Sequence, residues 1–259
     1  MTSPKKDPEA RRVVAIIQAR MSSRRLPGKV LLPLAGKPVL WHVVNRTQRI
    51  RGVDEVVVAT STDSADDSIE GWCFNNRVNC FRGPLDDVLS RYVKCAQKFH
   101  ADVVVRITAD CPVIDPEVSS EVLATFLDRR PALAALSGGF PDGLDTQVFD
   151  VMALVDASER AFLVSDREHV GPFIERNRED YDVIEVELFS GLQHIRLTLD
   201  ESDDYELLSK VFEYFPSVDF NVSEALEMLS NSPEILAINS SVPRNQGYQQ
   251  STKRDLLGS

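Results

Sequence analysis

The chain has 259 residues, of which 43% are hydrophobic and 27% charged, a composition typical of a folded protein with room for one large α/β domain. Its formal net charge of −11 argues against a nucleic-acid polymer as partner, because binding one requires many Lys and Arg side chains against the phosphates. No apolar stretch reaches transmembrane length and no signal-peptide pattern is present, so we expect a cytoplasmic protein without a membrane partner.

The first half of the chain alternates predicted strands and helices. Residues 1–12 are polar and charged and predict a disordered tail. Short apolar runs predict strands at residues 13–17, 55–59, 78–81 and 103–107. Apolar residues at helical spacing predict helices over residues 39–50, 66–75, 86–99 and 116–128. This alternation predicts an α/β fold with a mostly parallel central sheet flanked by helices.

The pattern changes after about residue 132. A glycine-rich stretch at residues 138–143 predicts a long functional loop. Short strands are predicted at residues 146–149, 181–189 and 194–199, the last two as a pair, and together they predict a small β-rich insertion. Helices are predicted over residues 203–215, 223–229 and 233–238. The chain then divides into a tail at 1–12, a single domain at 13–242 and a polar, extended C-terminal arm at 243–259.

The loop after the first predicted strand, residues 18–29, is strongly basic and is called the basic loop below. It carries Arg20, Arg24, Arg25 and Lys29 and leaves the carboxyl end of a strand, the edge where open α/β sheets bind ligands. Arg offers a planar fork and Lys a compact charge to phosphate oxygens. A basic surface loop is the alternative, and charge alone supports both equally. The loop has neither Walker A nor dinucleotide-binding glycine spacing.

Two aspartates follow other predicted strands. Asp110 comes after the strand at 103–107, and Asp200 comes after the strand at 194–199. A carboxylate beside triphosphate oxygens is how proteins commonly hold Mg²⁺, with substrate and water completing the coordination shell. Helix capping is the alternative for Asp110, although Asp115 is the better capping candidate. Four cysteines without C-x-x-C spacing and four scattered histidines predict neither disulfides nor a zinc site.

Seven ordered segments carry a resemblance to a known family: QARMSSRRLPGK, VATSTD, FRGPLDDVLSRY, VRITADCPVIDP, PDGLD, SDREHV and LTLD. Between residues 13 and 248 the chain resembles the spore-coat-polysaccharide cytidylyltransferases, which are related to CMP-KDO and CMP-sialic acid synthetases. The resemblance implies a Rossmann-like nucleotidyltransferase fold of the GT-A type. It also implies transfer of CMP from CTP to an acidic sugar of the 3-deoxy-ulosonic acid type, with Mg²⁺, release of pyrophosphate, a role in surface polysaccharide biosynthesis and a homodimer.

By motif position, the resemblance assigns roles to individual residues. Catalysis is assigned to Arg20, Lys29 and Asp110, and metal binding to Asp110 and Asp200. Nucleotide binding is assigned to Ala19, Arg20, Ser23, Arg25, Lys29, Arg82, Asp87 and Arg106. The acceptor, expected to be a small anion that binds in the region of about 140–200, is assigned to Asp142, Asp145, Arg167 and His169.

Alternatives stay open for several of these residues and for the reaction. Arg82, Asp87 and Arg106 could equally form surface ion pairs, and His169 could be a helix histidine that only satisfies its hydrogen bonds. The basic loop is expected to bind phosphates and indicates neither the base nor the acceptor. The second interpretation is therefore a nucleotidyltransferase that acts on a phosphonate or a sugar phosphate. A catalytically silent nucleotide-binding module is the third.

Overall fold

The computed structural model describes residues 11–257, in which a mixed sheet lies between two layers of helices. Within these residues the strands are β1 (Val13–Gln18), β2 (Pro33–Leu34), β3 (Lys37–Pro38), β4 (Glu55–Ser61), β5 (Asn79–Gly83), β6 (Val103–Thr108), β7 (Leu133–Ser137), β8 (Gln147–Asp150) and β9 (Val183–Glu187). The α-helices are α1 (Val39–Thr47), α2 (Asp67–Asn76), α3 (Val88–Lys98), α4 (Pro116–Arg129), α5 (Val151–Arg160), α6 (Val164–His169), α7 (Pro172–Arg176), α8 (Ser202–Tyr214), α9 (Val222–Ser230), α10 (Pro233–Leu236) and α11 (Gln246–Leu257). Short 3₁₀ turns cover Lys29–Leu31 and Ser64–Asp66.

The main sheet has seven strands in the order β5-β4-β1-β6-β8-β7-β9. Strand β1 pairs in parallel with β4 and β6, whereas β8 runs antiparallel to both of its neighbours. Strand β9 returns to the parallel direction against β7. The mostly parallel sheet predicted from the alternation of strands and helices is therefore confirmed. Strands β2 and β3 form a separate antiparallel pair.

The core lies on both faces of this sheet, as an unbroken apolar strand predicts. On β1, Val13, Ala15 and Ile17 join one buried cluster, while Val14 and Ile16 join the other. The first cluster includes residues of α1 and α4, and the second includes residues of α3 and α5. Because β1 is central and buried on both sides, its carboxyl end gives the basic loop a rigid base.

The predicted β-rich insertion is wrong in its details. Residues 194–199 are described and form no strand; Arg196 makes only an isolated bridge with Asp142. Strand β9 pairs instead with β7, which the sequence pattern did not predict, and residues 151–176 form α5, α6 and α7. The alternation at 194–199 has another cause: Ile195, Leu197 and Leu199 enter the core, while the charged residue between them binds carboxylates.

The two ends of the chain also differ from expectation. The arm predicted to be extended contains α11, which packs on α6 and buries Ser251. Residues 1–10 of the predicted tail lie outside the described residues. The backbone N–H of Arg12 donates to the carboxylate of Asp102 at 2.7 Å, and Arg11 forms an ion pair with Asp150 at 2.5 Å, so these two residues are bound to neighbouring segments. The division into tail, domain and arm stays a prediction.

In the described part of the chain, no helix has both the length and the apolar character needed to cross a membrane.

Candidate active site

The start of the basic loop is fixed by backbone hydrogen bonds to neighbouring segments. The N–H of Ala19 donates to the carbonyl of Ala59 at 3.1 Å, and the N–H of Met21 donates to the buried carboxylate of Asp66 at 2.7 Å. The N–H of Gly28 donates back to Met21 at 3.0 Å, which closes the loop. Gly28 has a φ of 72°, a left-handed conformation that favours glycine. The loop is therefore held before any ligand binds.

Lys29, at the end of this loop, lies between the two predicted metal ligands. Its Nζ is 2.5 Å from Oδ2 of Asp110 and 2.7 Å from Oδ1 of Asp200, and its side chain is only 9% exposed. Burial would lower the pKa of Lys29, but the charges and hydrogen bonds of the two carboxylates outweigh burial and raise it. Burial likewise favours neutral Asp110, yet the ammonium holds the pKa of Asp110 below its ordinary value. Lys29 and Asp110 are therefore both charged at neutral pH.

The segments carrying Asp110 and Asp200 are tied directly together. The N–H of Leu199 donates to the carbonyl of Asp110 at 2.7 Å, and the hydroxyl of Thr198 donates to the same oxygen at 3.2 Å. Asp110 follows β6, whose neighbour β1 leads into the basic loop. The sequence expectation that these groups lie at one edge of the sheet agrees with this geometry.

The carboxylate oxygens of Asp110 and Asp200 fit a divalent cation whose remaining coordination positions are filled by substrate and water. Both carboxylates contact the same ammonium, so their oxygens lie no further apart than the sum of those two contacts. Mg²⁺ commonly uses one or two carboxylates together with phosphates and waters. Among residues 11–257, no cluster of three or more His, Cys, Asp or Glu side chains is arranged to hold a metal by itself. The residues present fit a shared site and not a closed protein cage.

Asp200 is also bound by two arginines. Arg25 of the basic loop lies 2.9 Å from Oδ2 of Asp200, and Arg196 donates to the same oxygen at 2.8 Å. Arg196 further contacts Asp142 at 2.6 Å and Asp204 at 2.8 Å, all largely buried. Arg196 is absent from the predicted site residues; the signal that could have found it is a charged residue between the apolar residues Ile195 and Leu197.

Asp142 and Asp145, predicted to bind the acceptor, lie on the other side of Arg196. Burial, assisted by the charge of Asp145, raises the pKa of Asp142 to about 6 against the opposing effects of Arg196 and Arg244. Arg244 approaches both carboxylates at 3.9 Å and donates to the carbonyl of Phe140 at 2.8 Å. Arg244 is also absent from the predicted set, because only the fold brings the C-terminal segment to this position.

The predicted residues Arg20 and His169 meet at α6. Arg20 lies 3.6 Å from Oε1 of Glu168, which accepts a hydrogen bond from the hydroxyl of Ser251 at 2.7 Å and forms an ion pair with Arg254. Nε2 of His169 is 3.1 Å from the same hydroxyl. Helix α11 thus supports both the predicted catalytic Arg20 and the predicted acceptor residue His169.

Burial is the main cause that lowers the pKa of His169, to about 4, and the charge of Arg106 adds to it while Glu168 opposes it. The imidazole is therefore neutral at pH 7.

Arg82 lies among side chains of the α2 segment. Its guanidinium donates to the carbonyls of Ser61 and Asp63, each at 2.8 Å, and forms ion pairs with Asp67 at 2.7 Å and Glu70 at 2.8 Å. The structure therefore gives Arg82 the ion pairs that the alternative interpretation expected.

Asp87 and Arg167 contact each other at 3.3 Å, and both also hold nearby backbone. Asp87 caps α3 by accepting from the N–H of Ser90 at 2.9 Å. Arg167 donates to the carbonyls of Ser158 and Ala161 at 2.7 Å each. Neither side chain contacts the cluster around Lys29 within the described residues.

The remaining predicted nucleotide-binding residues are Ser23 and Arg106. Arg106 donates to the side-chain oxygen of Gln147 at 3.0 Å, and its buried Nε has no partner among the described residues. Ser23 lies inside the basic loop, where its hydroxyl accepts from the N–H of Leu26 at 3.4 Å. Both retain polar atoms that a ligand could use.

Comparison with known proteins gives consistent results. The family model described as Cytidylyltransferase matches residues 14–235. The spore coat polysaccharide biosynthesis protein SpsF of Bacillus subtilis is 32% identical over 231 residues, which are 86% of this chain and 95% of that protein. A solved cytidylyltransferase structure from Leptospira borgpetersenii has a TM-score of 0.83 and 32% identity, covering 87% of this chain and 97% of the other.

The 3-deoxy-manno-octulosonate cytidylyltransferase of Geobacter sulfurreducens is 38% identical over 121 residues, 47% of each chain. The chain therefore aligns with about half the length of that relative.

A basic loop facing two carboxylates at the carboxyl edge of a mostly parallel sheet defines the class as a nucleotidyltransferase with a Rossmann-like fold. The chain belongs to the cytidylyltransferase family, as the match to most of its length establishes. The resemblance carried by the seven sequence segments is thereby confirmed.

Proposed function

We propose that this enzyme transfers CMP from CTP to an acidic sugar of the 3-deoxy-ulosonic acid type, with release of pyrophosphate, in surface polysaccharide biosynthesis. The observation that carries the reaction is the contact of Lys29 with Asp110 and Asp200, because it joins a phosphate-binding cation to two carboxylates suited to a divalent metal. The names of two relatives, one in spore coat polysaccharide biosynthesis and one acting on 3-deoxy-manno-octulosonate, support the choice of acceptor.

The proposed step is an in-line attack by an acceptor oxygen on the α-phosphorus of CTP. Arg20, Arg25 and Lys29 bind the triphosphate and offset the charge that develops on the leaving pyrophosphate. The ammonium of Lys29 then exchanges its contacts with the two carboxylates for contacts with phosphate oxygens, which its flexible side chain allows. Catalysis comes mainly from positioning and charge neutralisation, and no covalent intermediate with the enzyme forms.

Asp110 and Asp200 are proposed to hold Mg²⁺ beside the α-phosphate. When bound, the cation supplies charge neutralisation at the phosphate and lowers the pKa of an attacking hydroxyl. Arg25 and Arg196 both bind the carboxylate of Asp200 and fix its orientation. Asp142 and Asp145 are proposed to accept hydrogen bonds from acceptor hydroxyls. A neutral His169 is proposed to act as a polar neighbour of the acceptor. The homodimer and the cytoplasmic location stay predictions.

The experiment measures pyrophosphate release from CTP with 3-deoxy-manno-octulosonate, a neutral sugar, a sugar phosphate and a phosphonate. The wild-type enzyme is expected to use the sugar acid, and Asp110→Asn is expected to lower kcat on the order of 100-fold or more, because a neutral amide stabilises the charged site poorly. Asp128→Asn changes an exposed aspartate of α4 and is the matched control. Near wild-type turnover by Asp110→Asn, with the fold intact, would refute the metal assignment. Transfer only to a phosphonate would refute the acceptor class.

A further inference from the structure

The segment after the matched residues 14–235 reaches back to the proposed site at two positions. Arg244 lies beside Phe140, Asp142 and Asp145, and two residues later Gln246 accepts a hydrogen bond from Arg25 of the basic loop at 2.9 Å. Helix α11 begins at Gln246 and packs on α6. One short segment therefore contacts both the acceptor side and the phosphate side of the site.

The guanidinium of Arg244 is held in place but is not saturated. It lies 4.4 Å from the centroid of the Phe140 ring, and one nitrogen donates to the Phe140 carbonyl. The carboxylates of Asp142 and Asp145 are 3.9 Å away, beyond hydrogen-bond distance, and the side chain is 23% exposed. Arg244 thus presents N–H donors, in a fixed orientation, to the space beside these two aspartates.

The other arginines near the acceptor side have fewer donors to offer. Arg196 is 7% exposed and is bound by three carboxylates, so a further anion there would displace a buried ion pair. Arg167 uses its guanidinium on two backbone carbonyls and on Asp87. An anionic acceptor that approaches the carboxyl groups of Asp142 and Asp145 requires a cation that is close and available.

We propose that Arg244 determines acceptor specificity by binding the carboxylate of the sugar acid through its planar fork. This inference rests on the proposed function, since it takes an acidic sugar as the acceptor. Arg binds a carboxylate with two parallel hydrogen bonds, which Lys cannot reproduce. The contact with Phe140 fixes the plane of the guanidinium, so little side-chain freedom is lost when the acceptor binds. Recognition of the acceptor then depends partly on the C-terminal segment, which follows the matched residues 14–235.

The test compares 3-deoxy-manno-octulosonate with its C1 amide, which has a neutral group in place of the carboxylate. Steady-state kinetics are measured with CTP and Mg²⁺ for the wild type, Arg244→Gln and Arg244→Lys, with Arg178→Gln as a control. Arg178 is exposed, and it contacts Glu185 of β9 and the carbonyl of Glu175, neither of which is a proposed site residue. CTP affinity and thermal unfolding are measured for each protein.

For Arg244→Gln, kcat/KM for the acid is expected to fall at least about tenfold, mainly through KM, while kcat/KM for the amide and the Kd of CTP change less than about twofold. Arg244→Lys keeps the charge and is expected to recover part of the acid preference. Arg178→Gln is expected to match the wild type.

Two results overturn the inference while leaving the proposed function intact. One is an unchanged ratio of acid to amide in Arg244→Gln. The other is an equal loss for both acceptors, which would show a structural role. A wild-type enzyme that releases pyrophosphate with neither acceptor refutes the proposed acceptor class, and the inference about Arg244 fails with it. The wild-type measurement therefore distinguishes the two failures.

Discussion

Replacing Lys29 with Met tests the central contact of the site, because it removes the ammonium and keeps an unbranched side chain. The two carboxylate oxygens that contact Nζ would then face each other at no more than about 5 Å in a mostly buried position. At an effective dielectric constant of about 20, two unit charges at this distance repel by about 3 kcal/mol. Removing one partner of a buried ion pair typically costs about 3–5 kcal/mol.

The lower end of this range applies here. Arg25 and Arg196 still bind Asp200 at 2.9 and 2.8 Å after the substitution, so only Asp110 loses its cation. We expect Lys29→Met to lower the free energy of unfolding by about 3 kcal/mol, which for a chain of this size lowers Tm by about 6–12 °C. The assay is thermal and denaturant unfolding at pH 7 in the presence of a chelator. Lys94→Met, an exposed change on α3, is the control.

The same variant shows whether the two aspartates only bind Lys29 or can also bind a metal ion. If Asp110 and Asp200 can share a divalent cation, the absence of the competing ammonium makes Mg²⁺ bind more tightly to the free variant than to the free wild type. Added Mg²⁺ would then restore part of the lost stability, by the mass action of a ligand that binds only the folded state. Equal stability of variant and wild type under chelation, or the same Mg²⁺ response in both, would refute the reasoning.

Two further predictions concern pH and packing. The pKa of His169 falls from 6.5 to about 4 on folding. The unfolded chain therefore takes up a proton below about pH 6.5 while the folded chain does not, and stability is lost as the pH falls toward 4. Allowing for partial exposure of the ring, we expect the free energy of unfolding of the wild type to fall by about 2 kcal/mol more than that of His169→Gln between pH 7 and pH 4. Denaturant unfolding across this pH range measures the difference, and the same pH dependence in both proteins would contradict the prediction. Asp115 caps α4 and accepts from the N–H of Val222 at 2.9 Å. Asp115→Ala is therefore expected to cost about 2–4 kcal/mol in denaturant unfolding. Within residues 11–257, the side chain of Asp63 is an exposed cap without such a distant contact, and Asp63→Ala is expected to cost about 1 kcal/mol. Equal costs for Asp63→Ala and Asp115→Ala would show that the hydrogen bond from Val222 adds no stability.

Local patterns in the sequence were enough to predict the parallel half of the sheet and the placement of the basic loop and Asp110 at one of its edges. The apolar run at 13–17 specifies a strand buried on both faces, and parallel pairing then brings the basic loop and Asp110 to one edge. These inferences need only the period of the side chains and the direction of the strands. The same reasoning predicts that Asp200 lies at this edge, although its segment forms no strand. Hydrogen bonds from Thr198 and Leu199 to the carbonyl of Asp110 hold the segment there in place of strand pairing.

The remaining features depend on contacts between segments that are distant in sequence. Arg196 binds Asp142 across 54 positions, and Arg244 reaches Phe140 across 104. Nothing near either arginine identifies its partner. The conformation of the C-terminal arm also depends on a distant contact. Its polar residues have no helical pattern of apolar positions, yet they form α11, in which Ser251 hydrogen-bonds to Glu168. The periodicity of a sequence shows which face of a helix or strand is apolar. It does not show which distant charged residue a side chain on that element will contact.

The charge arrangement explains how an acidic chain can bind a strongly anionic nucleotide. The formal charge is −11, yet three cations of the basic loop contact carboxylates: Arg20 lies beside Glu168, Arg25 beside Asp200 and Lys29 beside Asp110. Ligand binding in such a site is an exchange of partners, and only the difference between the two sets of contacts contributes to affinity. The carboxylates released by the exchange need a new cation, which a divalent metal bound together with the nucleotide would provide. The resting ion pairs therefore favour joint binding of metal and triphosphate over binding of either alone.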